Sequence, residues 1–310
     1  MNNMNTTNQR KSEAKKIHNP IGNSINNIIR NSFCIFIAVQ LIGCTKESEF
    51  NTNPLPIVIG DLKNNPEQNN NKEFQKQIEQ ILKYDEYTNK IGAIDCYIDI
   101  QLNNCVKISS IIKNNEANKI ILYIVESAYP LDEQNQLITS HVASGFLKFM
   151  KFELISERLT LVALSQLIGC GPYGTPCEPV TYKFGSTNEL GWVTKTGDMH
   201  QGYSGSSLSI YAENDNKITQ ILEVQTSYSN GGAINPEDES KEIISIDSKI
   251  TTVPQENKKY FDLDVSIIEN IIEGKKEDIK KSKFLIKYDD KIKSYNTLEI
   301  IKVFESKDKY

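Results

Sequence analysis

Long apolar runs are missing from this sequence. No uncharged apolar stretch reaches 18 residues, so it holds no ordinary membrane-spanning helix. An excess of charge of one sign is missing as well: Lys+Arg 35 against Asp+Glu 40 leaves a net charge of −5. Sequence-independent binding of nucleic acid needs a concentrated basic surface, and no nucleic-acid partner is expected. Histidine is scarce, with 3 in the chain, and Cys-x-x-Cys spacing does not occur. A metal centre built from these cysteines therefore has little to draw on, and neither a metal nor another cofactor is expected. No internal repeat is visible. What is present is 310 residues that are 38% hydrophobic and 24% charged. That is enough apolar material for a core, in one large or two small domains, and it excludes a wholly disordered chain.

The first informative stretch is Phe33 to Gly43, FCIFIAVQLIG, with Lys15, Lys16 and Arg30 ahead of it. A basic lead, a short apolar core and a small residue before a processing point describe an export signal. Its end, Leu41-Ile42-Gly43-Cys44, resembles the lipobox of bacterial lipoproteins. The resemblance implies cleavage before Cys44 and acylation of that cysteine, with the lipid membrane as a partner. Thr45 rather than Asp follows the cysteine, which by the same resemblance favours the outer over the inner membrane of the cell envelope. Acyl chains hold by hydrocarbon burial, about 0.8 kcal/mol per CH2.

Six cysteines are distributed in keeping with export. Cys34 lies inside the signal and Cys44 carries the lipid. The remaining four, Cys96, Cys105, Cys170 and Cys177, allow three pairings. The local pairing, Cys96–Cys105 and Cys170–Cys177, is expected, because the Gly and Pro residues of CGPYGTPC bend the chain and bring its ends together.

The chain divides into a signal (1–43), a polar tether (44–72), a β-rich domain (73–274) and a Lys-rich extension (275–310). The tether contains NNPEQNNNK and three prolines. After it, Phe74, Ile78, Ile81 and Leu82 fall on one helical face. From Ile91 to about Val253 the runs are short, β-branched or aromatic, and punctuated by Gly, Asn and Pro, the pattern of an all-β barrel or sandwich. DVSIIENIIEG reads as a helix capped by Asp264 and stopped by Gly274. The KKEDIKKSK run reads as a solvated helix face.

Asp198-Met199-His200-Gln201-Gly202-Tyr203-Ser204-Gly205 places a serine between glycines, where small residues let a substrate carbonyl approach the backbone. Gly202 to Gly205 resembles the nucleophile turn of chymotrypsin/trypsin-like serine proteases. Leu137 to Ala143, LITSHVA, resembles the strand end that carries the catalytic histidine of that family, and the order His before Ser agrees. SSLSIY, AENDNK and ITQILEVQTS resemble the hairpin that walls the specificity pocket. Val265 to Glu273 stands where the family has its C-terminal helix.

The resemblance implies a mostly β fold, a chymotrypsin-like double β-barrel with a short N-terminal and a C-terminal helix. Only 63 positions separate His141 from Ser204, which implies a truncated or degenerate first barrel. It further implies Ser204 as nucleophile and His141 as general base. Glu157, with Glu153 behind it, would be the acid of the triad. The N–H groups of Gly202 and Ser204 would form the oxyanion hole, and Asp198 the base of the specificity pocket. Tyr203 replaces the Asp usual before the nucleophile, so activation through a freed N-terminus is not available. The implied activity is a lipid-anchored serine endopeptidase acting on a protein or peptide substrate. The alternative is a non-catalytic surface lipoprotein with a binding or structural role. His200 reads as a surface or pocket-rim residue, and Trp192 as core.

Overall fold

The computed structural model describes residues 68–82, 88–116, 118–156, 158–187, 190–235 and 240–305. The signal, Cys44 and Glu157 lie outside the described residues, as does the tether up to residue 67.

The fold is mostly β, with two helices among the described residues. Helix α1 (Gln68–Ile81) begins inside the asparagine-rich end of the expected tether. Its expected face is largely the one used: Ile78 is fully buried, and Phe74 and Leu82 pack beside it against Leu122, Ile124, Met150 and Phe152. Ile81, expected on the same face, is exposed to 43%. The strands follow: β1 (Thr88–Ile91), β2 (Ile94–Asp99), β3 (Asn104–Glu116), β4 (Lys119–Pro130), β5 (Phe146–Ile155), β6 (Arg158–Leu164) and β7 (Ile168–Gly169). Next come β8 (Val180–Lys183), β9 (Leu190–His200), β10 (Tyr203–Asn214), β11 (Lys217–Ser229), β12 (Glu242–Val253), β13 (Asp262–Glu273) and β14 (Lys276–Ile286). The short pair β15 (Tyr288–Asp289) and β16 (Ser294–Tyr295) precedes helix α2 (Leu298–Glu305).

One 14-stranded sheet is built from two antiparallel halves. In the first, β1 to β6 pair in sequence order, with β7 on β5. In the second, β8-β9-β10-β11 continue into β12, β13 and β14. The halves meet where β6 and β11 run parallel through a single backbone bridge, Leu164 opposite Lys217. Side chains supply the rest of the junction. Trp192 of β9 stacks on Phe149 of β5, with ring centroids 4.9 Å apart, and meets Tyr123 of β4 edge-on at 5.6 Å. Lys151 of β5, almost fully buried, reaches Glu213 of β10 at 2.5 Å.

Strand β4 shows why its sequence reads as a continuous apolar run. It is buried on both faces: Leu122 and Ile124 pack under α1, while Ile121, Tyr123 and Val125 join the cluster around Trp192. The second half has its own core, in which Leu208, Leu222, Val265 and Ile267 meet Ile300 and Phe304 of α2. Both disulfides join the expected partners, Cys96–Cys105 and Cys170–Cys177, with Cα atoms 5.5 and 5.3 Å apart.

Three stretches differ from expectation. Val265 to Glu273 is not a helix but most of β13, hydrogen-bonded to β12 on one side and β14 on the other. Its apolar residues satisfy a helical period, yet Leu263, Val265 and Ile267 alternate inward against a waiting core, and long-range pairing on two edges outweighs local periodicity. Gly274, at φ +57°, is not a helix stop but the first turn residue of the β13–β14 hairpin. The Lys-rich run after it is strand β14, not a helix face. The C-terminal helix lies later, at α2. QLITSHV is a loop apart from one bridge between Leu131 and Leu137.

Candidate functional site

Ser204 is the second residue of β10. The two-residue turn Gln201-Gly202 joins it to β9, both turn residues having positive φ. Ser204 therefore lies within a ladder, opposite Met199 of β9 and Ser229 of β11. Gly202 is required for packing as well as for its φ of +87°: a Cβ there would run into the backbone of Gly232 and Ala233. The glycine that suggested room for a substrate carbonyl is thus occupied by the neighbouring turn.

His141 sits on a different element. It is a central residue of the Ser140–Ala143 turn, exposed, in the loop between β4 and β5. That loop is held by Gly174 N–H donating to Ala143 O, beside the Cys170–Cys177 disulfide. Among the described residues, no hydrogen bond joins His141 to Ser204. Glu153 accepts from Lys119 at 2.6 Å, and this hydrogen bond holds the Lys119 ammonium above its ordinary pKa. Asp198 is exposed on β9, opposite Gly205, and accepts the Met199 N–H. His200, at the end of β9, is half-buried; desolvation lowers its pKa, against the opposing pull of Asp198.

Beside Ser204 lies a cluster of hydroxyls that the sequence did not single out. A β-bulge at Ser206/Ser207 sets one residue against two, so the Ser206 hydroxyl meets Thr226 at 2.8 Å and Ser227 at 2.7 Å. An open groove of about 420 Å³ begins at Ser207 and runs along β11 toward α2. Ser207, Gln220, Glu223, Gln225, Ser294 and Thr297 supply its polar lining. The alternation of buried Leu222, exposed Glu223 and buried Val224 within ITQILEVQTS is the only sequence signal for it. Leu222, Val224, Tyr295 and Ile301 complete the lining, so the groove offers neutral donors and acceptors, one carboxylate and an apolar part.

Among the described residues, no cluster of His, Cys, Asp and Glu is arranged to hold a metal ion, and no helix is long and apolar enough to cross a membrane. No protein-family model, curated protein or solved structure matches this chain.

Proposed function

We propose that this chain is a non-catalytic, lipid-anchored protein of the bacterial cell envelope whose β-rich domain binds a polar ligand. The observation that carries this reading is the setting of Ser204, in register between β9 and β11, with His141 on a separate exposed turn. A nucleophilic serine needs a base within hydrogen-bond reach and free N–H donors aimed at the developing oxyanion. The two disulfides support an oxidising compartment, and the lipobox-like end at Cys44 supports the anchor. The groove along β11 is the binding surface in this reading.

The second reading is a serine endopeptidase on a chymotrypsin-like double β-barrel. It is favoured by the division of the sheet into two antiparallel halves and by the β10–β11 hairpin that follows Ser204. A fluorophosphonate probe separates the two. The binding reading expects no labelling of the folded chain. Labelling that disappears in Ser204→Ala overturns it in favour of the endopeptidase.

A further inference from the structure

Strand β14 ends the second half of the sheet and, among the described strands, pairs with β13 alone. Its register runs from Lys276 opposite Glu273 to Ile286 opposite Leu263 without a bulge. The first six of its 11 residues are exposed. One row of its main-chain N–H and C=O groups therefore lies along a sheet edge, a template for another strand.

Proteins guard such edges with short strands, proline, bulges, a covering element or lysine. β14 is long and unbroken and contains no proline, which leaves lysine. Residues 275–287 hold Lys275, Lys276, Lys280, Lys281, Lys283 and Lys287 against Glu277 and Asp278, in a chain whose net charge is −5. Lys281 and Lys283 share one face with Ile279 and Leu285, which are 55% and 56% exposed. Lys276 and Lys280 lie on the other face, opposite Glu273 and Glu269 of β13, which leaves Lys281 and Lys283 as the charges offered to a partner. Lys283 reaches Asp264 at 2.8 Å and Lys280 lies 3.8 Å from Asp278, while among the described residues Lys281 has no acidic partner.

Lysine guards an edge against cations only. A second copy of β14 matches lysine to acid in some antiparallel registers, Lys281 opposite Glu277 and Lys280 opposite Asp278, whereas a strand rich in Glu or Asp meets an opposite charge at Lys281 and Lys283 in every register. Six lysines against two acids along 275–287 thus favour an acidic partner over a second copy. We propose that β14 is a docking edge for an extended acidic segment of another protein, which adds to the sheet as a further strand. Main-chain hydrogen bonds hold it, the lysines select its sign, and Ile279 and Leu285 take apolar side chains between the charges.

The test titrates the full chain with a synthetic peptide of about ten residues alternating Glu and Val, against a Lys/Val control, and reads amide exchange in 276–286. The expected result is saturable binding of the acidic peptide alone, with slowed exchange along β14. Affinity should fall by roughly tenfold or more in Lys281→Glu/Lys283→Glu. The single variant Lys281→Gln, checked for native Trp192 fluorescence, should show a smaller loss in the same direction. No binding overturns the proposal, as does binding that leaves exchange in β14 unchanged. Equal affinity in the lysine variants overturns it too, and is the result if lysines elsewhere on the chain capture the peptide instead. Protection of β14 by phosphatidylglycerol vesicles but not by the peptide overturns it in favour of a lipid surface.

Discussion

Trp192 is the only tryptophan in the chain and is 1% exposed, between Phe149 and Tyr123. Truncating it removes the largest side chain at the junction of the two sheet halves. Trp192→Ala should cost about 3–5 kcal/mol in denaturant unfolding, and in the native protein the indole emission should be blue-shifted. Lys151 and Glu213 act at the same junction from opposite halves, and Lys151 is the more deeply buried. Glu213→Gln removes one charged partner of that ammonium, and a loss of about 1–3 kcal/mol is expected, read by the same unfolding experiment. Tyr295 gives a pH dependence with a definite sign. Burial, and then the charge of Asp262, raise its pKa well above the ordinary value, and burial raises Tyr211 and Tyr288 as well. Unfolded tyrosines ionise near pH ~10. The stabilisation is therefore fully present below that pH and is lost as pH rises above it. In Tyr295→Phe, stability should fall less steeply above pH ~10 than in the parent. At neutral pH the variant should lose about 1 kcal/mol with the hydrogen bond to Phe261 O.

At the scale of elements, legibility followed how local the deciding interaction is. Helix α1 was readable from Phe74, Ile78 and Leu82, because one helical face meets one core. The disulfides were readable because sequence separations of 9 and 7 favour local closure. Each bridge should contribute about 2–3 kcal/mol, so Cys96→Ser/Cys105→Ser should lower the unfolding free energy by that amount. β13 was not readable as a strand, since Val265, Ile267, Ile268, Ile271 and Ile272 fit both periods and only pairing with β12 and β14 decides between them. Nor was the loop at His141. LITSHVA has strand composition, but its conformation is set by distant close approaches, with Gly174 against Ile138 and Gly145 against Pro176. The Ser204 motif was visible as letters. What those letters omit is that Gly232 fills the space beside Gly202.

At the scale of the molecule, and among the described residues, the two sheet halves are joined by a single strand-to-strand bridge, the aromatic cluster around Trp192, the Leu190 N–H to Tyr123 hydroxyl bond and the Lys151–Glu213 ion pair. Their coupling rests on side chains more than on the ladder, which is why the predictions for Trp192 and Glu213 concern the same transition. The central claim is that the domain binds and does not cleave. Its most direct test is the turnover of an unstructured protein substrate by the folded chain beside Ser204→Ala and His141→Ala. We predict the same background rate in all three. Turnover by the parent that is abolished in both variants would contradict the account.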